Sequence, residues 1–395
     1  MSPAAPPPEL AAHYTRFGVA QRLLLTGHSH QAWPDVARDA VLEAYDDAAL
    51  AVDAKWDRAF ARADRVREGF RLLLGDPDGE IALGTNTHEL LVRFLSALDL
   101  ASRPRLVTTD GEFHSARRQL ARLAEAGVEV VRVAASPVGT LAERLAAEVD
   151  ARTAAVVVSS VLFETGRVVP GLGAVAAACA HAGAELLVDA YHQLGVVPFD
   201  VASDGLADAW VVGGGYKYLQ LGEGNCFLRV PPHAEGLRPV VTGWYAEFGD
   251  LGHAPAGSVV YARGAGAFAG STYDPTSHYR AARVMDFFAD QGLTAERLRA
   301  ISLHQRGVLA TAFDELGLPD EVATRDRETP ADAFGGFLAL ETPHAAELPS
   351  RLLDRGVHAD SRGRFLRLGP APYLSDAQLT EAVAILGETV GQNTA

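Results

Sequence analysis

Lys217 is one of only two lysines in a chain of 395 residues that holds 35 lysines and arginines together; the other is Lys55. Arginine supplies the rest of the positive charge, so a lysine kept at this position points to chemistry that a guanidinium cannot do. A neutral primary amine forms a Schiff base with a carbonyl compound, whereas arginine stays protonated. The lysine lies in WVVGGGYKYLQLGEGNCFLRV (210–230), behind three glycines and between Tyr216 and Tyr218. A nucleotide phosphate loop does not fit. The Walker A pattern needs Ser or Thr after its lysine, where Tyr218 stands, and Tyr218 also breaks G-x-G-x-x-G.

Four further groups could serve such an amine. In LLVDAYHQLG, Asp189 ends an apolar run and His192 follows three residues later. A carboxylate at a strand end can keep a pyridine nitrogen protonated and so make the ring an electron sink; it can equally cap a helix. In ALGTNTHELL, Gly84, Thr85, Asn86 and Thr87 lead from a strand into a helix, which suits either anion binding or capping. In TTDGEFHSARR, Phe113 or His114 could stack on an aromatic cofactor or pack in the loop. Arg367, in RFLRLGPAPY, sits among apolar residues, where a guanidinium needs a partner. That partner is a substrate carboxylate or an internal acid.

The elements that must position these residues are legible as an alternation. EIALG (80–84), RLVTTD (105–110), VEVVRV (128–133), AAVVVSS (154–160), ELLVDA (185–190) and DAWVVGG (208–214) read as strands, separated by amphipathic helical stretches. Continuous apolar strands between helices predict an α/β fold with a mostly parallel sheet covered on both faces. Ligands bind such sheets beyond the carboxyl ends of the strands. NCFLRV is expected to turn back as another strand, and a helical pattern is expected from about Asp35 to Leu74. A helix from about Tyr279 leads into a C-terminal α+β unit containing FGGFLALE, RFLRLGP and a last helix, DAQLTEAVAILGETV.

With 35 basic against 50 acidic residues, the formal charge is −15. That balance argues against nucleic acid or an anionic membrane as partner. Residues 1–10 read as a flexible Pro/Ala-rich arm with no signal-peptide pattern, and no apolar run is long enough to cross a bilayer. Two cysteines, Cys179 and Cys226, imply no disulfide framework. A cytoplasmic, globular enzyme is expected, with no metal.

Taken together, GYKYLQLGEG, DAYHQLG, Gly243-Trp244-Tyr245 and Gly270-Ser271-Thr272 resemble the motifs of kynureninase-like enzymes. These are pyridoxal 5'-phosphate (PLP) enzymes of fold type I, in the class V aminotransferase group. The resemblance runs from GHSH near residue 27 to RLGPAPY near 370. It implies that Lys217 carries the cofactor as a Schiff base and moves protons at the substrate Cα. It also implies that Asp189 pairs with the ring nitrogen, that His192 sits near the ring oxygen or phosphate, and that Phe113 stacks on the ring. Thr85, Asn86, Thr87 and Tyr216 would hold the phosphate, with Trp244 and Ser271 or Thr272 reaching it from the other subunit of a homodimer. Arg367 would take the substrate's α-carboxylate, and His28 and Ser29 would also bind the substrate. The glycines before Lys217 are expected to make room for the flat cofactor.

The implied reaction is hydrolysis of the Cβ–Cγ bond of kynurenine or a related β-acyl amino acid. Transamination, epimerisation or carbon–sulfur lysis is the alternative. The chain departs from the family at Gly27-His28-Ser29-His30-Gln31, at Glu247 and at GSTYDP. The expected division is an N-terminal segment (1–45) packing with the small domain, a large cofactor domain (46–275) and a C-terminal small domain (276–395).

Overall fold

The computed structural model describes residues 9–249, 251–252 and 257–391; most of the arm expected over 1–10 lies outside them. The strands are β1 (Leu23–Leu24), β2 (Glu80–Gly84), β3 (Arg105–Thr109), β4 (Glu129–Val133), β5 (Thr153–Ser159), β6 (Glu185–Asp189), β7 (Trp210–Gly214), β8 (Cys226–Val230), β9 (Leu338–Glu341), β10 (Val357–His358), β11 (Asp360–Arg362) and β12 (Phe365–Leu368). The helices are α1 (Val36–Ala51), α2 (Lys55–Leu73), α3 (Thr87–Ala97), α4 (His114–Glu125), α5 (Leu141–Ala147), α6 (Leu172–Ala182), α7 (Thr276–Asp290), α8 (Ala295–Glu315), α9 (Leu348–Leu353) and α10 (Asp376–Gly391).

Seven strands form the central sheet in the order β2-β8-β7-β6-β5-β3-β4. The pairs from β7 to β4 are parallel, and β8 runs antiparallel to both β7 and β2. All seven residues of β5 are buried, as a strand covered on both faces requires. Register then sets the site: Ser159 lies beside Asp189, and Asp189 beside Val212, so the carboxyl ends of β5, β6 and β7 meet at one edge.

The three glycines do not act as expected. A Cβ on Gly213 would meet the Phe227 ring at 2.9 Å, one on Gly214 the Tyr191 hydroxyl at 2.5 Å, and one on Gly215 the Leu221 side chain at 2.3 Å. The space they leave is filled by protein: it seats the β7–β8 return beneath Lys217. The helical pattern over 35–74 is realised as two helices. Val52, at φ +47°, ends α1 in a conformation that a β-branched residue rarely takes, and α2 begins at Lys55.

A second core joins the two ends of the chain. Leu10, Tyr14, Val19, Leu24 and Leu25 pack with Leu298, Leu340, Leu366 and Leu379, and β1 pairs in parallel with β10. Helix α7 is shared: Ala281, Ala282 and Val284 pack with the large-sheet core and Phe287 with the second core. No helix among the described residues is long and apolar enough to cross a membrane.

Candidate active site

Lys217 follows β7 on the turn back to β8, and only 5% of it is exposed. Its Nζ lies 4.6 Å from the Tyr191 ring centre and 5.2 Å from that of Phe113. Burial among these rings pulls its pKa from 10.5 to about 7, against the Asp189 carboxylate, which favours the charged form. The Lys217 Nζ is 2.6 Å from His192 Nε2. Burial, and then the neighbouring lysine, hold that imidazole well below its ordinary pKa. A neutral His192 therefore accepts from the lysine, while its Nδ1 is buried without a partner.

Asp189 ends β6. The one hydrogen bond recorded to its carboxylate comes from the Tyr191 N–H, at 2.9 Å. Burial raises its pKa, opposed by that bond and by Lys217. A buried carboxylate with an uncommitted oxygen is an acceptor waiting for a donor. Phe113, the residue before α4, stands over Lys217 with its ring edge-on to Phe163 at 5.5 Å. These residues fit pyridoxal phosphate. An amine that can be neutral near pH 7, a carboxylate for the ring nitrogen and an aromatic wall converge at the sheet edge.

At the α3 end, Asn86 Oδ1 accepts from the Glu89 N–H at 2.9 Å and its Nδ2 donates to Thr85 Oγ1 at 3.1 Å. Capping, one of the two sequence readings, is what the structure records; Thr85 and Asn86 remain exposed at a helix N-terminus, where an anion is favoured. Asn86→Ala is expected to cost about 1 kcal/mol in urea unfolding, as cap losses do, and to weaken PLP retention. Asn86→Asp should keep the cap but repel the phosphate, which separates the two effects.

Tyr216 is half-buried, stacked on His30 (5.0 Å, 20°) and packed on Tyr191. Trp244 donates from Nε1 to Thr272 Oγ1 at 3.3 Å and is 43% exposed. Ser271 and Thr272 line a 520 Å³ cavity with Thr85, Arg93 and His278. The structure thus brings Trp244, Ser271 and Thr272 together with one another and with Thr85, at the surface.

Arg367 has internal partners, the other sequence reading for it. It is 3% exposed, and donates from Nε and Nη2 to the two oxygens of Asp360 at 2.9 and 2.6 Å, and from Nη1 to the Phe163 carbonyl. Three of its five N–H groups are committed, leaving one on each Nη. His28 does not reach substrate space. It is fully buried, with Nε2 on Asp360 Oδ1 at 2.7 Å. Its Nδ1 is closed off by the Gly369 backbone, where an added Cβ would lie 2.1 Å away. Its role is to hold Asp360. Ser29 is partly exposed and contacts His30.

Sequence reasoning missed Asp360, although the hairpin was available: with a turn at Gly363, β11 and β12 register Asp360 opposite Arg367. It also missed Glu112, 2% exposed, which accepts from Thr109 Oγ1 and Ser159 Oγ, each at 2.6 Å. Burial lifts its pKa to about 7, against those hydroxyls. Its signal was adjacency to Phe113. The apolar walls Phe163 and Phe337 carried no chemical signal at all.

Three buried imidazoles give an acid response. Burial holds His28 and His278 at about 4, and His192 well below its ordinary value. The unfolded chain binds these protons near pH 6.5 and the native chain does not, so stability falls as pH drops from 6.5 towards 4. Urea midpoints measured across that interval should decrease steadily, and His28→Gln should flatten the slope.

The architecture is that of the PLP-dependent fold type I enzymes. Residues 40–218, from α1 to just past Lys217, match the class V aminotransferase family; that group of PLP enzymes is the one that sequence and fold support together. The aminotransferase YcbU of Bacillus subtilis, itself uncharacterized, is 25% identical over 347 residues, covering 87% of this chain and 88% of its own. Among solved structures, the cystine C–S lyase C-DES in complex with its product, cysteine persulfide, superposes with a TM-score of 0.80. It is 18% identical, over 94% of this chain and 98% of that one. A mutant of C-DES with glycine covalently linked to the PLP cofactor gives 0.81 at 18% identity, over 95% and 98%. An apo cysteine desulfurase from Thermococcus onnurineus gives 0.78 at 16% identity, over 99% and 100%.

Proposed function

We propose that this chain is a PLP-dependent enzyme that cleaves an α-amino acid at Cβ, and that the bond broken is carbon–sulfur. The observation that carries the reading is the Lys217 site itself: a buried amine poised near neutrality, held by His192 beneath Phe113 and beside Asp189. Bound at Lys217, pyridoxal phosphate supplies an electron sink for density leaving the substrate Cα. Lys217, neutral once the substrate amine has replaced it, takes the Cα proton, and His192 fixes the direction of its lone pair. Asp189 holds the ring nitrogen and Phe113 one face of the ring. Arg367 offers its two free N–H groups to the α-carboxylate, with Asp360 fixing its orientation. Phe163 and Phe337 keep water away from the reacting atoms.

Lysis is preferred to cysteine desulfuration because a sulfur acceptor must be a thiolate on an accessible loop. Both cysteines of the chain are buried, and burial pushes each thiol to about 12. The Cys179→Ala, Cys226→Ala double variant is expected to keep its turnover; loss of activity with intact folding and PLP content would restore a cysteine mechanism. Hydrolysis at Cβ–Cγ is the second reading, supported by the likeness of GYKYLQLGEG and Gly243-Trp244-Tyr245 to kynureninase-like motifs.

One assay separates the readings. PLP-loaded protein is offered cystine and, separately, kynurenine. Pyruvate with persulfide from cystine supports lysis; anthranilate with alanine from kynurenine supports hydrolysis in its place. Neither product, with amino groups passing instead to a 2-oxo acid, would make the chain an aminotransferase and sink both. A homodimer with shared sites is part of the proposal. Its support is the exposed apolar strip of Val240, Val241, Trp244 and Phe248 beside the cavity that Thr85 and Ser271 line.

A further inference from the structure

Phe337 packs against His28 at 4.7 Å and lies under the Arg367 guanidinium at 5.4 Å. It also walls a second cavity of 370 Å³, which neither Lys217, Asp189 nor His192 lines. Thr165 and Arg167, from the loop after β5, close one side. Helix α8 and β9 close the other, so the cavity bridges the large sheet and the C-terminal unit.

The charges around it balance with one exception. Arg167 is paired with Asp326 at 3.0 Å, Arg325 with Asp314, and Glu341 with Arg364. Arg306 has no acid. It is 7% exposed, gives one N–H to the Ala331 carbonyl at 2.8 Å, and its Nε is buried without a partner. Its guanidinium stacks at 5.1 Å on Phe334, which Arg167 faces at 5.2 Å. Burial, reinforced by Arg299, pulls the Arg306 pKa down to about 10. A buried cation without a counter-charge is costly, and an anion that reaches it recovers that cost. The rest of the wall is apolar: Phe334, Phe337, Leu338 and Phe365.

We propose that this cavity binds a small monocarboxylate with an apolar body, its carboxylate on Arg306 and its body against Phe334, Phe337 and Phe365. The site lies on the far side of Phe337 from the one that holds the cofactor, shares that wall with it, and does not depend on which bond the enzyme breaks. Its occupant touches both units at once.

Benzoate is the probe, titrated calorimetrically into the PLP-loaded protein. One equivalent should bind, and Arg306→Gln should weaken it at least tenfold while the cofactor's visible absorbance stays unchanged. Gly307→Leu is the second variant. Gly307 lies in α8 at the cavity, a Cβ there would meet no atom within 4 Å, and leucine favours a helix over glycine. This side chain should fill the space and lower affinity to a similar degree in a folded protein. The proposal is overturned if wild-type protein binds no benzoate, or if both variants bind it as wild type does. It is also overturned if benzoate shifts the cofactor band, which would put it at Lys217, or if inorganic phosphate binds equally well.

Discussion

Lys217→Ala should abolish the cofactor's visible band after desalting and lower turnover by about 10⁴-fold, the upper range for losing a positioned acid–base group, here one that is also the covalent anchor. Lys217→Arg should do no better, because the guanidinium keeps charge and loses nucleophilicity. The pH dependence of cofactor uptake adds a sharper test. Only the neutral amine attacks the aldehyde, and burial puts its pKa near 7. The uptake rate of apoprotein should therefore rise through pH 7 and level off above it. A rate that climbs log-linearly to pH 10 would mean an ordinary, solvated lysine. The sign for stability is tied to the same shift. Between pH 7 and 10.5 the unfolded lysine holds a proton that the native one lacks, so the apoprotein gains stability as pH rises across that window.

The second large effect lies in the Arg367–Asp360–His28 cluster. Arg367→Leu leaves Asp360 with the buried, neutral His28 and a longer ion pair to Arg362 at 3.8 Å, and loss of one member of a buried ion pair costs about 3–5 kcal/mol. Asp360→Leu should also destabilise, by stranding a guanidinium that is 3% exposed. The double variant should recover much of the loss, since replacing both charges with apolar groups is often close to neutral. Urea unfolding of the four proteins gives the coupling directly. Kinetics should not recover with stability. If Arg367 holds the substrate carboxylate, KM stays raised in the double variant. Additive stabilities would show that the pair is not coupled, and an unchanged KM would remove Arg367 from substrate binding.

Much of this was legible in the chain because the physics is local. The apolar runs of β2 to β8 announced buried strands, and a lysine among arginines announced an amine kept for its chemistry. Asp189 and His192 were readable because a strand end in a parallel sheet has a known direction. What escaped was set by packing or register. The glycines before Lys217 were assigned to a cofactor, while their space belongs to Tyr191, Leu221 and Phe227. His28 was read as a substrate contact because the resemblance puts Gly27-His28-Ser29-His30-Gln31 where substrate is recognised. Burial turned it inwards to Asp360, which only the β11–β12 register places opposite Arg367. The break at Val52 follows no helix-stop signal: an exposed valine stands there at positive φ between α1 and α2.

The second core has a consequence for how the molecule is made. Leu10, Tyr14 and Val19 share one core with residues of α10, which lies far along the chain from them. Tyr14 also donates to Gln220 at 2.5 Å, on the loop just after Lys217. The large sheet has all its strands between residues 80 and 230 and can assemble during synthesis. The smaller unit must wait until α10 has been made, because the two halves of its interior lie far apart in sequence. Until then its apolar residues stay uncovered, and the N-terminal segment carrying His28 stays undocked. Maturation of the site is thereby deferred until α10 is available.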